Sequence, residues 1–517
     1  MNLFIFSTSV RVLIACLAGI LLMQASPAWS SEDDSWHEVR TEHFVVRTNA
    51  ERERAVRLAT DLEKYRFTVG YLSGLNTRDV PSVPVTVFAY KTADQYLDAT
   101  GAYGTAGFYM PRPSGPISVL SLEDGEEDWQ LSGKRVLFHE YTHHILHQYS
   151  PIEYPRWYDE GFAEFMATME FDDGYALIGK PALHRVPFLK RVSDWIPSFE
   201  LIDSKGRYMN HIGTSLTRDP LRGKGGRSLQ YAQGWLMVHY LHSNARLQQG
   251  ISRYLQEINR ADVDDEKAFR RAFGIDYKRF DKELIRYWDE KEFASGRVEI
   301  ASRLPDIAPE VRAMPPEEAA AIDYEALVLT GNGERISAKN AADTFQKCLE
   351  QGVRPIDMRL GLFMLALQEK DWTAAQTQVD ALLDDDPKSA QGLTASVALQ
   401  RNRVDGELER ETALELRETA KRAILTDPTY VPALIQFADL TFEHDLEVDG
   451  NVTSVIDSIR FLAPDLPEGK VFEARLFAHQ GALDEALSML DEMIKWSSST
   501  DQELQFKEIK KALAESS

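Results

Sequence analysis

The spacing of apolar positions changes along this chain of 517 residues and divides it into segments of different structure. Apolar and polar residues alternate over 36–49, which indicates a half-buried strand. Residues 51–72 repeat apolar positions at helical spacing, and the apolar, β-branched run at 83–90 is typical of a strand. The first part of the chain is therefore expected to form a small α/β layer.

Two further segments follow this layer. Residues 107–122 contain too much Pro and Gly for a central strand, so we expect them at a sheet edge. Between about 132 and 300 most apolar spacing is helical, interrupted by a loop at 203–230 that has six basic and two acidic residues. This loop has two open interpretations: a lid or anion-attracting rim over a site, or a solvated insertion without a role.

The chain changes character after the Pro-rich segment at 303–318, which is typical of a domain boundary. Helical segments then end at Pro387, Pro428 and Pro464, at intervals of 41 and 36 residues. These intervals are close to the 34 residues of a tetratricopeptide repeat. The C-terminal part therefore resembles degenerate tetratricopeptide repeats, whose stacked helix pairs offer a concave face to a protein partner. An ordinary helical bundle is the alternative.

The N-terminus has the pattern of a secretory signal peptide. Arg11 precedes an apolar run, and the small residues Ala28 and Ser30 suit cleavage before Ser31. The apolar run is too short for an ordinary membrane span. We expect a periplasmic or secreted protein without a membrane span after cleavage; an uncleaved anchor, or lipidation at Cys16, is the alternative.

Composition narrows the classes of partner. The net charge of −23 disfavours nucleic acid and anionic lipid as main partners. Only Cys348 would remain after signal cleavage, so no intramolecular disulfide can form. The mature chain must fold by burying apolar surface, and 44% hydrophobic residues allow this in two or three domains.

The candidate chemistry begins with the stretch HEYTH at 139–143. Residues four apart lie on the same face of a helix, so His139 and His143 can offer both imidazoles to one metal ion, with Glu140 beside it. The same five residues also occur by chance in structural helices, so this motif alone does not decide the function.

A second amphipathic helix, predicted over 154–169, strengthens the metal hypothesis. Its Glu160 and Glu164 share one face, and buried carboxylates are costly unless they are paired or bind a metal. Catalytic zinc commonly takes two His and one Glu and leaves the fourth position to water. We therefore predict one zinc ion per chain on His139, His143 and Glu160, with Glu164 accepting the free N–H of a ligating imidazole.

These motifs carry a family resemblance. HEYTH followed after sixteen residues by EGFAE resembles the gluzincin metallopeptidases, the thermolysin and aminopeptidase N group. Residues 36–295 are similar to the bacterial peptidase MA-like domain proteins. The metzincin pattern does not fit, because it requires Gly and His where this chain has Leu146 and Tyr149.

The resemblance implies an α+β fold with a thermolysin-like or gluzincin-like catalytic domain, built from a small mixed sheet and a helical subdomain. An all-α tetratricopeptide-like domain follows it. The expected division is a signal peptide at 1–30, a metallopeptidase domain at 31–300, a linker at 301–320 and helical repeats at 321–517.

The resemblance also implies a mechanism and a site. Metal-activated water attacks the peptide carbonyl, with Glu140 as general base. Tyr231 in YAQG is similar to the oxyanion-stabilising tyrosine of the aminopeptidase N type, although Gln233 replaces that family's Lys; a structural tyrosine is the alternative. No counterpart of the segment that binds a substrate amine is found, so an endopeptidase that binds extended peptide at a sheet edge is favoured.

The remaining histidines of the motif have weaker explanations. His147 is four residues after His143 but two turns from His139, which predicts a place behind the metal ligands or at the rim of the site. His144 is predicted to lie on the polar face of the helix.

Three functions remain open from sequence. The first is an exported zinc-dependent metallopeptidase that acts on peptide or protein substrates and recruits a partner through its helical repeats. The second is a catalytically inactive peptidase-like scaffold that acts through those repeats. The third is a hydrolase of a non-peptide amide, such as a cell-wall bond.

Overall fold

The structure is a computed structural model. It describes residues 35–78, 80–123, 132–202, 220–260, 263–330, 337–404, 406, 408–495 and 500–515. The predicted signal peptide at 1–30 and residues 203–219 of the predicted loop lie outside the described residues.

Nine strands in the described residues form two sheets. Their bounds are β1 (His37–Arg40), β2 (Phe44–Thr48), β3 (Val85–Tyr90), β4 (Gly107–Met110), β5 (Ile117–Ser121), β6 (Glu170–Asp172), β7 (Tyr175–Ile178), β8 (Gly296–Glu299) and β9 (Glu310–Ala313). The larger sheet has the order β4-β5-β3-β2-β1-β9, and β6, β7 and β8 form a small antiparallel sheet. The larger sheet is mixed: β5, β3 and β2 run parallel, whereas β4, β1 and β9 each join antiparallel neighbours.

Helices α1 to α10 precede β9 in the described chain. Their bounds are α1 (Arg52–Ser73), α2 (Ala93–Thr100), α3 (Gly133–Tyr149), α4 (Arg156–Met166), α5 (Val186–Leu189), α6 (Ser198–Leu201), α7 (Pro220–Ser243), α8 (Ala245–Ile258), α9 (Asp265–Phe273) and α10 (Tyr277–Glu290). A 3-10 helix lies at Val192–Asp194.

Strand β3 shows how the sheet is covered. Its Val85 and Val87 belong to a core shared with α1 and α3, whereas Phe88 and Tyr90 belong to a core shared with α2 and residues 316–330. Successive side chains of a strand point to opposite faces, so β3 is buried on both. This explains why its sequence is a continuous apolar run rather than an alternating one.

The C-terminal part of the described chain is helical. Its helices are α11 (Pro316–Thr330), α12 (Ala338–Glu350), α13 (Pro355–Gln368), α14 (Trp372–Asp385), α15 (Ala390–Arg403), α16 (Arg410–Thr426), α17 (Val431–Glu443), α18 (Gly450–Leu462), α19 (Pro467–His479), α20 (Leu483–Lys495) and α21 (Thr500–Glu515). Each of these helices contacts the next, and α11, α13, α15, α17 and α19 also contact one another in that order. The chain is therefore a mixed α+β protein with a C-terminal region of stacked helices.

Buried ion pairs join this helical region to the sheet. Arg47 of β2 pairs with Glu38 of β1 at 3.0 Å and with Glu325 of α11. Arg354, just before α13, pairs with Glu325 and with Glu318, whose side chain is fully buried. Burial would raise the pKa of Glu325, but Arg47 and Arg354 outweigh it and lower the pKa to about 2. Breaking such a pair leaves a buried charge uncompensated, so the network fixes α11 on the sheet.

Several elements differ from the sequence prediction. Residues 36–49 form the two strands β1 and β2 rather than one, with a turn at 41–43. Residues 310–313, within the predicted linker, pair with β1 as strand β9, and α11 begins at Pro316. Residues 220–230 of the predicted loop belong to helix α7. Residues 107–110 form the expected edge strand β4, whereas 117–121 form its inner neighbour β5.

The small sheet β6-β7-β8 also lies in a segment that was expected to be helical. Asp173 and Gly174, between β6 and β7, both have positive φ angles, of 39° and 83°. An Asp-Gly pair of this kind is the strongest short-range signal of a hairpin, so the turn was detectable in the sequence.

No helix among the described residues combines the length and the apolar composition that crossing a bilayer requires.

Candidate metal centre

Helix α3 carries the first predicted ligands and is fixed against the sheet at its start. Ser132 caps the helix by accepting a hydrogen bond from the backbone N–H of Arg135 at 3.3 Å. A Cβ at Gly133 would lie 2.4 Å from the carbonyl oxygen of Ser121 and 2.7 Å from that of Ala106. Glycine therefore lets the helix begin directly against the sheet, which sets the position of the residues that follow.

One face of α3 is core and the neighbouring face is the site. The side chains buried in the core are Leu137, Phe138, Tyr141, Ile145 and Leu146. His139, Glu140 and His143 lie on the other side and are half-buried. The apolar side chains of α3 and the imidazoles of His139 and His143 thus lie on different faces of one helix.

Three donor atoms from α3 and α4 converge on one point. The Nε2 atoms of His139 and His143 lie 3.2 Å apart, and a carboxylate oxygen of Glu160 lies 3.4 Å from the first and 3.3 Å from the second. A tetrahedral zinc ion with bonds of about 2.0–2.2 Å separates its ligand atoms by about 3.3–3.6 Å. The spacing and the donor types therefore fit zinc, and the three residues that the sequence assigns as ligands lie together.

A second group of donors lies beside the first. Among the described residues, His143, His147 and Asp159 also bring donor atoms within 4.8 Å of one another. Asp159 accepts hydrogen bonds from both imidazoles, at 2.9 Å from Nδ1 of His143 and 3.2 Å from Nε2 of His147. This second group is therefore already joined internally by hydrogen bonds, and we interpret it as support for His143 rather than as another metal site.

Glu140 lies next to the convergence point without being part of it. Burial raises the pKa of its carboxyl, while His139 and His143 act in the opposite direction. Within the part of the chain that the structure describes, no hydrogen bond or ion pair holds this carboxylate. It is therefore available for an incoming water or substrate atom.

Each imidazole has a carboxylate behind it. A carboxylate oxygen of Glu164 lies 3.2 Å from Nδ1 of His139. The side chain of Glu164 is buried and is held by His184 at 3.0 Å and by Arg185. Glu164 thus lies next to His139, but Nδ1 of His139 has no hydrogen-bond partner among the described residues, so the acceptance of that N–H by Glu164 stays a prediction. A carboxylate in this position fixes the tautomer and orientation of a ligating imidazole and raises its basicity.

The corresponding partner of His143, Asp159, was missed by the sequence analysis. The sequence does show an acidic residue directly before the predicted ligand Glu160. Neighbouring residues of a helix lie about 100° apart around its axis, so adjacency to Glu160 did not place Asp159 in the same site. Asp159 reaches His143 because α4 crosses α3 with Asp159 and Glu160 both facing it.

The electrostatics of the cluster fit a cation. Burial would lower the pKa of His139, but Glu160 and Glu164 outweigh it and raise the pKa to about 9. Burial would raise the pKa of Glu160, but His139 and His143 outweigh it and lower the pKa to about 2. The carboxylates thus hold positive charge on the imidazoles when no metal is bound, and a divalent ion would displace protons on binding.

Helix α4 is held in place by an unusually close contact with α7. A Cβ at Gly161 would lie 2.4 Å from the carbonyl oxygen of Gly234, and a Cβ at Gly234 would lie 3.0 Å from the carbonyl oxygen of Trp157. Two glycines therefore allow the backbones of the two helices to touch. Gly161 directly follows Glu160, and Gly234 lies three residues after Tyr231.

This contact gives a testable prediction. Gly161→Ala is expected to lower the free energy of unfolding by about 1–3 kcal/mol, because the new methyl group overlaps backbone atoms that no rotamer change can move. The shift of α4 should also displace Glu160 and weaken zinc binding. Urea unfolding and zinc titration check both effects. Gly296→Ala is the matched control, since a Cβ there meets no atom within 4 Å. Wild-type stability and zinc affinity in Gly161→Ala would refute this view of the helix contact.

Tyr231 lies beside His139, and Gln233 two residues later points elsewhere. The ring centroids of Tyr231 and His139 are 6.2 Å apart, and the guanidinium of Arg185 lies 5.1 Å from the Tyr231 ring. Burial raises the pKa of Tyr231 to about 12, so its hydroxyl keeps its proton at neutral pH. Gln233 is buried and exchanges two hydrogen bonds with the backbone of Ile196, at 2.8 and 2.9 Å. Gln233 is thus a structural residue.

The other two histidines of α3 lie against the helical region. The prediction that His144 is on the polar face is wrong: it is buried, stacks on Tyr141 with ring centroids 5.4 Å apart, and lies 3.1 Å from the hydroxyl of Tyr109. Its place is set by β4, which covers this side of α3. His147 lies behind His143, which is one of the two positions predicted for it. Both His144 and His147 contact Asp465.

Comparison with known proteins adds little on function. No protein-family model matches this sequence. The chain is similar to the uncharacterized protein YhcO of Bacillus subtilis (strain 168), with 30% identity over 124 residues. The match covers 22% of this chain and 37% of that protein's length. The name of this relative states no activity, so the functional argument depends on the site itself.

Proposed function

We propose that this chain is an exported zinc-dependent metallopeptidase of the gluzincin type, which cleaves internal peptide bonds with Glu140 as general base. The observation that carries this proposal is the triangle of donor atoms from His139, His143 and Glu160, with sides of 3.2–3.4 Å, beside an uncommitted glutamate. Two imidazoles, one carboxylate and a nearby free carboxylate are the groups that catalytic zinc sites use.

The residues of this chain have distinct roles in the proposed reaction. Bound zinc would supply a Lewis acid that makes water nucleophilic at neutral pH. Glu140 accepts a proton on its carboxylate as water attacks the carbonyl carbon, and passes that proton to the leaving nitrogen. Tyr231 donates its O–H to the oxygen that becomes negative, which its raised pKa allows. Glu164 and Asp159 orient the two imidazoles.

Strand β4 supports a peptide as the substrate class. It is an edge strand of the larger sheet, and Tyr109 on it contacts His144 of α3, so this edge runs alongside the helix that carries the site. Extended peptides bind to proteins by adding a strand to such an edge. This favours an endopeptidase over hydrolysis of a cell-wall amide, which offers no regular peptide backbone for pairing.

The coarse fold and the helical region agree with the proposal. A mixed sheet with the metal helix packed on one face, followed by further helices, is compatible with the gluzincin and peptidase MA-like class. The stacked helices α11 to α21 are compatible with tetratricopeptide-like repeats that recruit a substrate or partner. Export depends on the predicted signal peptide at 1–30.

Metal removal and replacement test the proposal. The purified chain without residues 1–30 is expected to hydrolyse casein, to lose this activity in 1,10-phenanthroline, and to regain it with about one equivalent of zinc but not with magnesium. Mass spectrometry of the products should locate cuts within the casein chains. Hydrolysis that survives the chelator would refute the zinc-dependent mechanism. A zinc-loaded protein that cleaves neither casein nor a peptide library would refute the peptidase and favour the scaffold.

A further inference from the structure

The helical region reaches the proposed metal centre from a distant part of the sequence. Helices α18 and α19 are joined by a short turn at 463–466, closed by a hydrogen bond of 3.0 Å from the backbone N–H of Leu466 to the carbonyl oxygen of Ala463. Ala463 and Leu466 are buried in the core of the helical region. Asp465 lies between them and points away from that core towards α3, with 18% of its side chain exposed.

Neighbouring contacts fix this turn on α3. Helix α18 packs on α3, and the rings of Phe461 and Tyr149 meet edge to face with centroids 6.0 Å apart. Glu468, at the start of α19, acts electrostatically on Arg112, which follows β4. The position of Asp465 is thus determined by an interface on both sides of it and not by its own contacts alone.

Asp465 belongs to a chain of hydrogen bonds that begins at a proposed ligand. Nδ1 of His143 lies 2.9 Å from one oxygen of Asp159, and the other oxygen of Asp159 lies 3.2 Å from Nε2 of His147. Nδ1 of His147 lies 3.0 Å from an oxygen of Asp465, whose second oxygen lies 3.2 Å from Nδ1 of His144. Two of these links join α3 to α4, and two join α3 to the helical region.

The carboxylates determine which groups of the chain donate. Carboxylates only accept hydrogen bonds, so a ring nitrogen of His147 donates where it meets Asp159 or Asp465. Asp465 thus holds the His147 ring by the nitrogen that does not contact Asp159. Without Asp465, the ring would keep one partner only, and Asp159 would be held less firmly behind His143.

We propose that Asp465 is a positioning residue for the metal ligand His143, acting through His147 and Asp159, so that the helical region completes the metal centre. This inference rests on the proposed zinc site. It assigns to the helical region a role in the chemistry that is separate from the recruitment of substrate or partner.

Zinc dissociation and turnover of the full mature chain test this role. In Asp465→Asn, which keeps the shape of the side chain and removes its charge, zinc should leave about tenfold faster in a chelator-competition assay, because outer partners of metal ligands contribute about 10–100-fold to metal affinity. For casein, kcat should fall about tenfold with little change in KM, and the unfolding temperature should change by only a few degrees. A merely structural residue would not move the zinc dissociation rate.

Two further variants separate positioning from general loosening of the interface. His147→Gln should match Asp465→Asn, and the double variant should be no worse than either, because both act through one chain. Glu468→Gln removes another carboxylate from the same interface and should leave zinc dissociation within about twofold of wild type. Unchanged dissociation in Asp465→Asn, multiplying effects in the double variant, or equal loss in Glu468→Gln would each overturn the proposal.

The outcome also separates this inference from the peptidase proposal. A wild-type protein that binds zinc without cleaving casein would refute the peptidase, while the dissociation rates still decide the role of Asp465. A wild-type protein that binds no zinc would overturn both.

Discussion

Glu140→Gln is expected to reduce casein hydrolysis by about 10²–10⁴-fold while zinc remains bound. The amide has nearly the same shape as the carboxylate but cannot accept a proton from attacking water. Because Glu140 is not one of the three converging donors, its replacement leaves the distances among His139, His143 and Glu160 unchanged. Activity should therefore be lost without loss of metal.

The measurement compares kcat/KM and zinc content in the same preparations. Glu350→Gln makes the same chemical change at an exposed position in the helical region and should retain wild-type activity. If Glu140→Gln keeps full activity with zinc bound, Glu140 is not the general base. If it loses zinc together with activity, the carboxylate belongs to the metal's ligands instead.

Glu160→Ala is expected to weaken zinc binding by at least about a hundredfold and to abolish hydrolysis with it. Removal of an outer partner of a metal ligand already costs about 10–100-fold in affinity, and loss of one of three protein ligands should cost more. The variant also leaves the half-buried imidazoles of His139 and His143 with one carboxylate fewer, so some loss of stability should accompany the loss of metal.

Competition with a zinc-binding dye gives the affinity of each variant. Glu153→Ala is the matched control, because that side chain is exposed shortly before α4. Glu164→Gln should fall between the two, since Glu164 contacts His139 but is not among the donors that meet at the site. Equal zinc affinity in Glu160→Ala and wild type would remove Glu160 from the ligand set and with it the gluzincin assignment.

The parts of the site that depend on local periodicity could be predicted from sequence. His139 and His143 are one helical turn apart, as are Glu160 and Glu164. The face of each helix that contributes to the site could therefore be predicted from the residues of that helix alone. The structure brings both pairs together, and the strand at 83–90 and the helix at 51–72 follow the same kind of local pattern.

The parts that depend on distant pairing could not be predicted. Strand β9 lies in a Pro-rich segment with little strand character, and it forms because β1 presents a free edge some 270 residues earlier, with His37 opposite Ala313. Asp465 meets His147 across 318 residues, and nothing in its local sequence distinguishes it from a turn residue between two prolines. Asp159 is local, but its use depends on how α4 crosses α3, which the contact between Gly161 and Gly234 helps to determine.

The most direct test of the central claim is anomalous diffraction from crystals of the purified protein, recorded on both sides of the zinc absorption edge. The account predicts one peak per chain, about 2.0–2.2 Å from Nε2 of His139, Nε2 of His143 and a carboxylate oxygen of Glu160. A zinc peak lying out of reach of Glu160, for example between His147 and Asp465, or no peak in protein supplied with zinc, would contradict it.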